Sequence, residues 1–343
     1  GVLDNAIYTI WQQEPIGEYL RDRGRHFDQD FRRELGRARQ KVVLDRTAPL
    51  LEATLPRDET NRELVPLPKP MPARPIIVKG LLQRKVITLT AGKGGDGKSL
   101  FTLQMSVAAA LGRTWAGFAP VKPLKVLYIN VEDDYEEVQR RLAAICAEMG
   151  VDADDLKGKL HVYPGSEVKL AAIEDKGPNA RVVGTSALRD LIGWCRQDGY
   201  DIVVADPLVE LAEGINENDN MHMAGFMTQL KRLAREGNVA LMLVHHFRKQ
   251  GVGGDSDSMR GGSAIVNAAR LGLTFERLSA DDKNAPSFPG VKPENVIRIQ
   301  GAKANYQPMN KGQYLAFVPH ELDSGDWVAA LKPLDVTDAD VFD

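Results

Sequence analysis

Residues 91–100, AGKGGDGKSL, place glycines, a lysine and a serine at a spacing that suits the phosphates of a nucleotide. The segment satisfies the pattern G-x-x-x-x-G-K-S, in which glycines let backbone N–H groups point at phosphate oxygens. Lys98 would contact the β- and γ-phosphates, and the Ser99 hydroxyl would hold Mg²⁺. We therefore expect a site for ATP and Mg²⁺. Its predicted nucleotide-binding residues are Gly92, Gly94, Gly95, Asp96, Gly97, Lys98, Ser99 and Leu100.

Two residues of this phosphate loop have more than one interpretation. From Lys93 onward the letters also spell K-G-G-x-G-K-S, a variant used by ATPases that partition plasmids, whose first lysine reaches into a partner subunit. Lys93 could equally be a solvent-facing residue after a turn glycine. Asp96 carries a carboxylate that would face the phosphates unless its side chain turned outward, and we expect the outward orientation.

Three later segments end in side chains that suit ATP hydrolysis. In YINVEDD, Glu132 would take a proton from an attacking water, although a capping carboxylate at a helix start is the alternative. In YDIVVADPL, Asp206 would bind Mg²⁺ directly or through water. In LMLVHHFRK, His245 and His246 would point to opposite faces of a strand, so they cannot easily share a metal. We expect one of the two histidines to face the γ-phosphate.

The elements that would position these residues follow a strand–loop–helix order. Short apolar runs without alternation predict strands covered on both faces, and helical patterns lie between them. This order indicates an α/β fold with a mostly parallel twisted sheet and helices on both faces. The predicted strands are 85–90, 125–131, 201–205, 239–244, 271–275 and 296–300, and the predicted helices are 98–111, 134–149, 185–197 and 219–236.

The sequence divides into four regions. We expect an N-terminal helical extension at 1–55, a proline-rich linker at 56–75, an ATPase domain at 76–334 and an acidic tail at 335–343. Within the extension, 27–42 predicts a basic amphipathic helix that docks on another subunit, touches DNA or folds onto its own domain. Two stretches, 249–262 and 279–293, are predicted to be mobile.

Composition narrows the class of protein. With 44 basic and 47 acidic residues the formal net charge is −3, which argues against a globally basic nucleic-acid binder. No apolar run is long enough to span a membrane, and two cysteines without metal-ligand spacing suit a reducing cytoplasm. The sequence begins at Gly1, so we expect a tag remnant or a fragment of a longer polypeptide.

The motifs GGDGKS, VED, VADPL, VHHFRK, MRGGSAIVNAAR and GAKANY together resemble the RepA-type hexameric replicative helicases of plasmids. These belong with the DnaB-like and RecA-like P-loop motors, and the resemblance covers about residues 75–320. It implies a RecA-like core and a ring of six subunits with ATP between neighbours and single-stranded DNA in the channel. It also implies that Arg270 is an arginine finger, that Lys303 lies near the same subunit interface and that His246 is the histidine sensor. The N-terminal extension, Lys93, Asp96 and the insert at 279–293 depart from the family.

The resemblance leads to a functional hypothesis. We expect ATP-dependent translocation on single-stranded DNA and duplex unwinding in the replication of a plasmid, phage or mobile element. The alternative is a RecA-like regulatory or recombination ATPase that switches DNA binding without unwinding. Arg248, Lys249 and Arg260 lie in the glycine-rich loop after the histidines and are the predicted DNA contacts, a surface hairpin being the other interpretation. A primase, fused upstream or separate, is the expected partner.

Overall fold

The structure, a computed structural model, describes residues 68–164, 168–174, 181–246, 263–280, 286–306 and 312–335. The chain divides into two units, and apart from residues 68–72 the described residues lie in the second, Ala73–Asp343. The predicted extension 1–55, most of the predicted linker and residues 336–343 of the predicted tail lie outside the described residues.

The described part of the chain contains fifteen strands and five α-helices. The strands are β1 Ile76–Lys79, β2 Leu82–Gln83, β3 Ile87–Gly92, β4 Ala119–Pro120, β5 Val126–Asn130, β6 Leu160–Pro164, β7 Ala171–Glu174, β8 Arg181–Gly184, β9 Ile202–Asp206, β10 Ala212–Glu213, β11 Ala240–His246, β12 Leu271–Arg277, β13 Val296–Ala304, β14 Gln313–Glu321 and β15 Trp327–Leu334. The helices are α1 Lys98–Leu111, α2 Tyr135–Met149, α3 Ser186–Gln197, α4 Asn220–Glu236 and α5 Ser263–Ala268.

A nine-stranded sheet organises these elements. Its order is β15-β14-β13-β12-β3-β11-β9-β5-β6, and the strands from β12 to β6 are mutually parallel. Strands β13, β14 and β15 extend the sheet in antiparallel fashion. The predicted α/β fold with a RecA-like core is therefore confirmed. The strand predicted at 296–300 is longer than expected and antiparallel, and the β14–β15 hairpin was not predicted.

The sheet separates two apolar cores, because successive residues of a strand point to opposite faces. On β9, Ile202 and Val204 join the core beneath α1 and α2, whereas Val203 and Ala205 join the core beneath α3 and α4. Burial on both faces explains why these strands are continuous apolar runs rather than alternating ones. Polar residues stand at the carboxyl ends of these strands, since β5 ends at Asn130, β9 at Asp206 and β11 at His246.

The long helices begin where the sequence provides a cap. Asp134, Thr185 and Asp219 accept backbone N–H bonds at the starts of α2, α3 and α4. Helix α1 begins differently, because its N-cap is Gly97, which has no side chain to accept these bonds. The first N–H groups of α1 therefore stay available to an external acceptor.

The segment predicted to be mobile at 279–293 is anchored at its second half, contrary to expectation. Phe288 is 8% exposed and packs with Leu278 and Val296, and its ring lies 5.4 Å from that of Tyr314. Residues 281–285 and the whole of the other stretch, 249–262, lie outside the described residues. No helix in the described part of the chain has the length and apolar character to cross a membrane.

Candidate nucleotide-binding site

The phosphate loop joins β3 to α1 at the carboxyl edge of the parallel strands. In parallel α/β sheets this edge is where ligands bind. Gly97 has a φ of 76°, and a Cβ at this position would lie 3.0 Å from the Phe317 ring. Only glycine fits such a turn without strain. The uncapped start of α1 directly follows it, and such a helix start is a ready site for an anion.

The loop is held by contacts that converge on one residue, Lys93. Its carbonyl accepts a hydrogen bond from Lys98 Nζ at 2.5 Å, and its N–H donates to Asp96 Oδ2 at 2.8 Å. Asp96 is 7% exposed, so the expected outward orientation is wrong. The carboxylate turns back onto the loop because the Lys93 N–H offers it a partner there. Burial raises the pKa of Asp96, against the lowering effects of that hydrogen bond and of nearby cations.

Asp206 and Ser99 place a carboxylate and a hydroxyl side by side next to the loop. Asp206 ends β9 and is 2% exposed, and the Ser99 hydroxyl donates to its carboxylate at 3.1 Å. The Tyr128 hydroxyl of β5 donates to the other carboxylate oxygen. Burial raises the pKa of Asp206 to about 6, although both hydrogen bonds oppose the rise. Tyr128 was missed by the sequence analysis, and the signal available was a lone hydroxyl in the apolar run KVLYINV.

This pair suits Mg²⁺. The ion prefers hard oxygen ligands and typically keeps waters and nucleotide phosphates in its shell. A hydroxyl and a carboxylate from the protein meet that requirement. Among the described residues there is no cluster of three or more His, Cys, Asp or Glu that could hold a metal alone. Burial lowers the pKa of Lys98 to about 8, while Asp96, Asp206 and Glu132 favour its charged form.

Glu132 and His246 face each other across the opening of the site. Glu132 Oε2 lies 4.0 Å from His246 Nε2, and the Glu132 side chain is 62% exposed. The backbone N–H of Glu132 donates to Asn130 Oδ1, and this bond to the last residue of β5 positions the backbone from which the Glu132 side chain extends. His246 ends β11 and pairs in register with Gly92. Burial and Lys98 lower the pKa of His246, whereas burial, His246 and Lys98 lower that of His245 to about 4.

A cavity of about 860 Å³ opens in front of the loop. Arg140 and Arg141 of α2 form one wall, and Phe317 and Trp327 of the β14–β15 hairpin form another. The hairpin is tied to α2 through Arg140 Nε and Asp326 Oδ2, which are 3.5 Å apart. These wall residues were not predicted, because no motif marks them and the hairpin lies more than 200 residues from the loop along the chain.

Two further predicted site residues, Arg270 and Lys303, do not line this cavity. The backbone N–H of Arg270 bonds to the carbonyl of Ile87 at the start of β3, the opposite end from the phosphate loop. Lys303 is close by, since it pairs with Gly272 and its Nζ donates to the Val266 carbonyl at 2.7 Å. Lys98, Ser99, Glu132, Asp206 and His246 are thus brought together, and Arg270 and Lys303 are not. Arg248, Lys249 and Arg260 lie outside the described residues.

Fold and site together define a nucleotide-binding domain of the P-loop class with a RecA-like core. The chain belongs to the AAA domain family, whose model matches residues 29–252. Membership of this family, with a phosphate loop beside a buried aspartate, supports an ATPase. Among solved structures, the chain is similar to one described as an ATPase domain, with 16% identity and a TM-score of 0.49 over 71% of this chain and 85% of that one. No curated protein matches the sequence.

Proposed function

We propose that the protein is an ATP-driven motor that translocates on single-stranded DNA and unwinds duplex DNA, as a replicative helicase of a plasmid, phage or mobile element does. One observation carries this proposal: the described residues bring the loop, Asp206, Glu132 and His246 together, whereas Arg270, the predicted arginine finger, is not among them. Arg270 lies at the far end of β3, roughly 20 Å away at 3.3 Å per residue. A second copy would complete the site.

The nucleotide would lie across the cavity in front of the loop. Its phosphates would accept hydrogen bonds from the loop N–H groups and from the start of α1. Lys98 would exchange the Lys93 carbonyl for the β- and γ-phosphates. The base and sugar would extend between Arg140 and the aromatic side chains of Phe317 and Trp327.

Hydrolysis would begin with water attacking the γ-phosphorus while the bond to the β-phosphate oxygen breaks. Glu132 is exposed to the cavity and would accept the proton of that water. Mg²⁺, held by Ser99 and Asp206, would neutralise charge on the phosphate oxygens. His246, 4.0 Å from Glu132, would detect the γ-phosphate and pass its loss to the segment that follows β11.

A site shared between copies makes hydrolysis depend on the relative position of neighbours, which couples chemistry to movement. We propose a hexameric ring, with Arg270 acting on the nucleotide of the adjacent subunit and Lys303 at the same interface. Arg248, Lys249 and Arg260 would contact the DNA backbone, so binding would tolerate different sequences and weaken with salt. We further propose a cytoplasmic location and a primase partner, fused upstream or separate.

The test is unwinding of a forked duplex by the full chain with ATP and Mg²⁺. Wild type should release the labelled strand, and Lys98→Ala should neither hydrolyse ATP nor unwind. Lys157→Ala is the matched control, because Lys157 is 76% exposed and pairs with Asp154. If the protein hydrolysed ATP without unwinding the duplex, the proposal of a motor would be wrong and a regulatory or recombination ATPase would be the better interpretation. Unwinding by Lys98→Ala would show that the phosphate loop is wrongly assigned.

A further inference from the structure

Four cations line a small recess at the end of the sheet opposite the phosphate loop. The recess has a volume of about 90 Å³ and is lined by Lys85, Lys231, Arg235 and Arg270, with Tyr306 at its side. Lys231 and Arg235 lie in the last turns of α4, Lys85 precedes β3 and Arg270 precedes β12. Three separate stretches of the chain therefore contribute cations to one basic recess, the name used for it below.

The basic recess has an unbalanced charge. None of its four cations forms an ion pair with another described residue. Carboxylates on neighbouring elements are already engaged, since Asp201 pairs with Arg84 and Glu236 pairs with Arg232. Lys303 adds a fifth cation nearby, and burial followed by repulsion from Arg270 and Lys231 lowers its pKa. Like charges brought together disfavour one another's charged form, and no described carboxylate offsets them, so a bound anion would stabilise the recess.

The C-terminal end of a helix favours cations, and this accounts for Lys231 and Arg235 taken alone. It does not account for the convergence of Lys85, Arg270 and Lys303, which come from other elements. The recess is also lined by apolar groups of Val86, Ile87 and Ala268. A small cationic recess suits the terminal phosphate of a nucleotide better than a strand of nucleic acid, which needs a continuous groove.

The nucleotide held by the same copy cannot supply this anion, because the phosphate loop lies at the other end of β3. We propose that Lys231 and Arg235 act with Arg270 to bind the terminal phosphate of the nucleoside triphosphate held by a second copy of the chain. In this arrangement, each copy contributes three cations from two elements to the nucleotide site of its neighbour, rather than a single arginine. This inference rests on the proposed function, since it requires the shared site described there.

The experiment compares ATP hydrolysis and nucleotide binding in three variants of the full chain. Lys231→Gln/Arg235→Gln removes two charges from the recess and keeps much of each aliphatic stem. Arg270→Ala removes the predicted finger. Lys157→Gln/Arg189→Gln is the matched control, because both side chains are 76% exposed and lie away from the recess on other elements. Thermal unfolding of each variant checks that the fold is retained.

We expect Lys231→Gln/Arg235→Gln to lower the hydrolysis rate at least about tenfold, with nucleotide affinity within about twofold of wild type. Mixing it with Lys98→Ala should restore hydrolysis. An intact loop from one variant can then face an intact recess from the other, although Lys98→Ala alone is inactive and the double variant alone is impaired. The control should hydrolyse ATP at the wild-type rate.

Other outcomes separate the inference from the proposed function. If Arg270→Ala is inactive while Lys231→Gln/Arg235→Gln is normal, the inference fails and the shared site stands. If Arg270→Ala is also normal, the shared site fails and the inference fails with it. If the double variant loses affinity for a labelled single-stranded oligonucleotide but keeps DNA-independent hydrolysis, the recess binds nucleic acid and the inference is overturned.

Discussion

Replacing Asp206 with Asn should make the free protein more stable while removing hydrolysis. Asp206 is 2% exposed, and burial raises its pKa to about 6 despite hydrogen bonds from Tyr128 and Ser99. The difference from the ordinary value of 3.8 corresponds to about 3 kcal/mol at 1.36 kcal/mol per pH unit. A raised folded-state pKa gives stability that is present below 3.8 and is lost as the pH rises through 6. The carboxylate therefore destabilises the free protein at neutral pH.

The expected gain is smaller than this figure, because the amide of Asn has one acceptor oxygen for two hydroxyl donors. Loss of one such hydrogen bond costs about 1 kcal/mol. The free energy of unfolding of Asp206→Asn should therefore equal that of wild type at about pH 4.5 and exceed it by about 2 kcal/mol at about pH 7.5. Urea unfolding of both proteins, without nucleotide and with divalent cations chelated, measures the difference. If Asp206→Asn were no more stable than wild type at the higher pH, the account of the buried carboxylate would be wrong.

Asp219→Asn is the control with the opposite sign. Asp219 is partly exposed and caps α4, and the backbone N–H groups of His222 and Met221 lower its pKa. A lowered folded-state pKa gives stability that is present above the unfolded-state value and is lost as the pH falls. As the pH rises, wild type should therefore become more stable relative to Asp219→Asn and less stable relative to Asp206→Asn. The same urea series measures both trends.

Three further changes test other parts of the site. Trp327→Ala should raise KM for ATP about fivefold and leave kcat nearly unchanged, because it removes a wall of the cavity but no catalytic group; an unchanged KM in initial-rate measurements would remove Trp327 from the nucleotide site. Tyr128→Phe should raise the pKa of Asp206 further, so the acid limb of the hydrolysis profile should move to higher pH; a shift to lower pH would contradict the hydrogen bond. The pKa of Cys195 is raised to about 12 by burial, so its thiol should resist a disulfide reagent until the protein is unfolded, and rapid labelling of the folded chain would refute its burial.

Sequence patterns predicted the elements whose limits are set locally. The helix predicted at 134–149 is found at Tyr135–Met149, because Asp134 caps its start and Gly150 ends it in a left-handed conformation. The parallel strands were predictable for a similar reason, since burial on both faces makes each a continuous apolar run. The positions of Lys98, Ser99 and Asp206 were predictable for the same reason, because these residues lie on strands and loops of that parallel core.

Features that depend on contacts distant in the chain were not predictable in this way. Strands β14 and β15 contain Pro319 and Pro333, and proline within a run argues against a strand unless an edge accommodates it. The orientation of Asp96 was wrongly predicted because its burial depends on the returning β12, where Phe275 and Arg277 approach the loop. The catalytic contribution of Arg270 and the DNA contacts of Arg248, Lys249 and Arg260 stay predictions.

Strand β3 is the fifth of the nine strands in the main sheet of the described chain, with four strands on either side. Every described side chain suited to cleaving the phosphate bond comes from β3 and its flanking loop or from the parallel half beyond it. The aromatic wall comes from the antiparallel strands β14 and β15, on the other side of β3. In the proposed site, β3 thus separates the side chains that would cleave the phosphate bond from those that would contact the base. Substitutions that loosen the β14–β15 hairpin should therefore change which nucleotides are accepted without altering turnover at saturation.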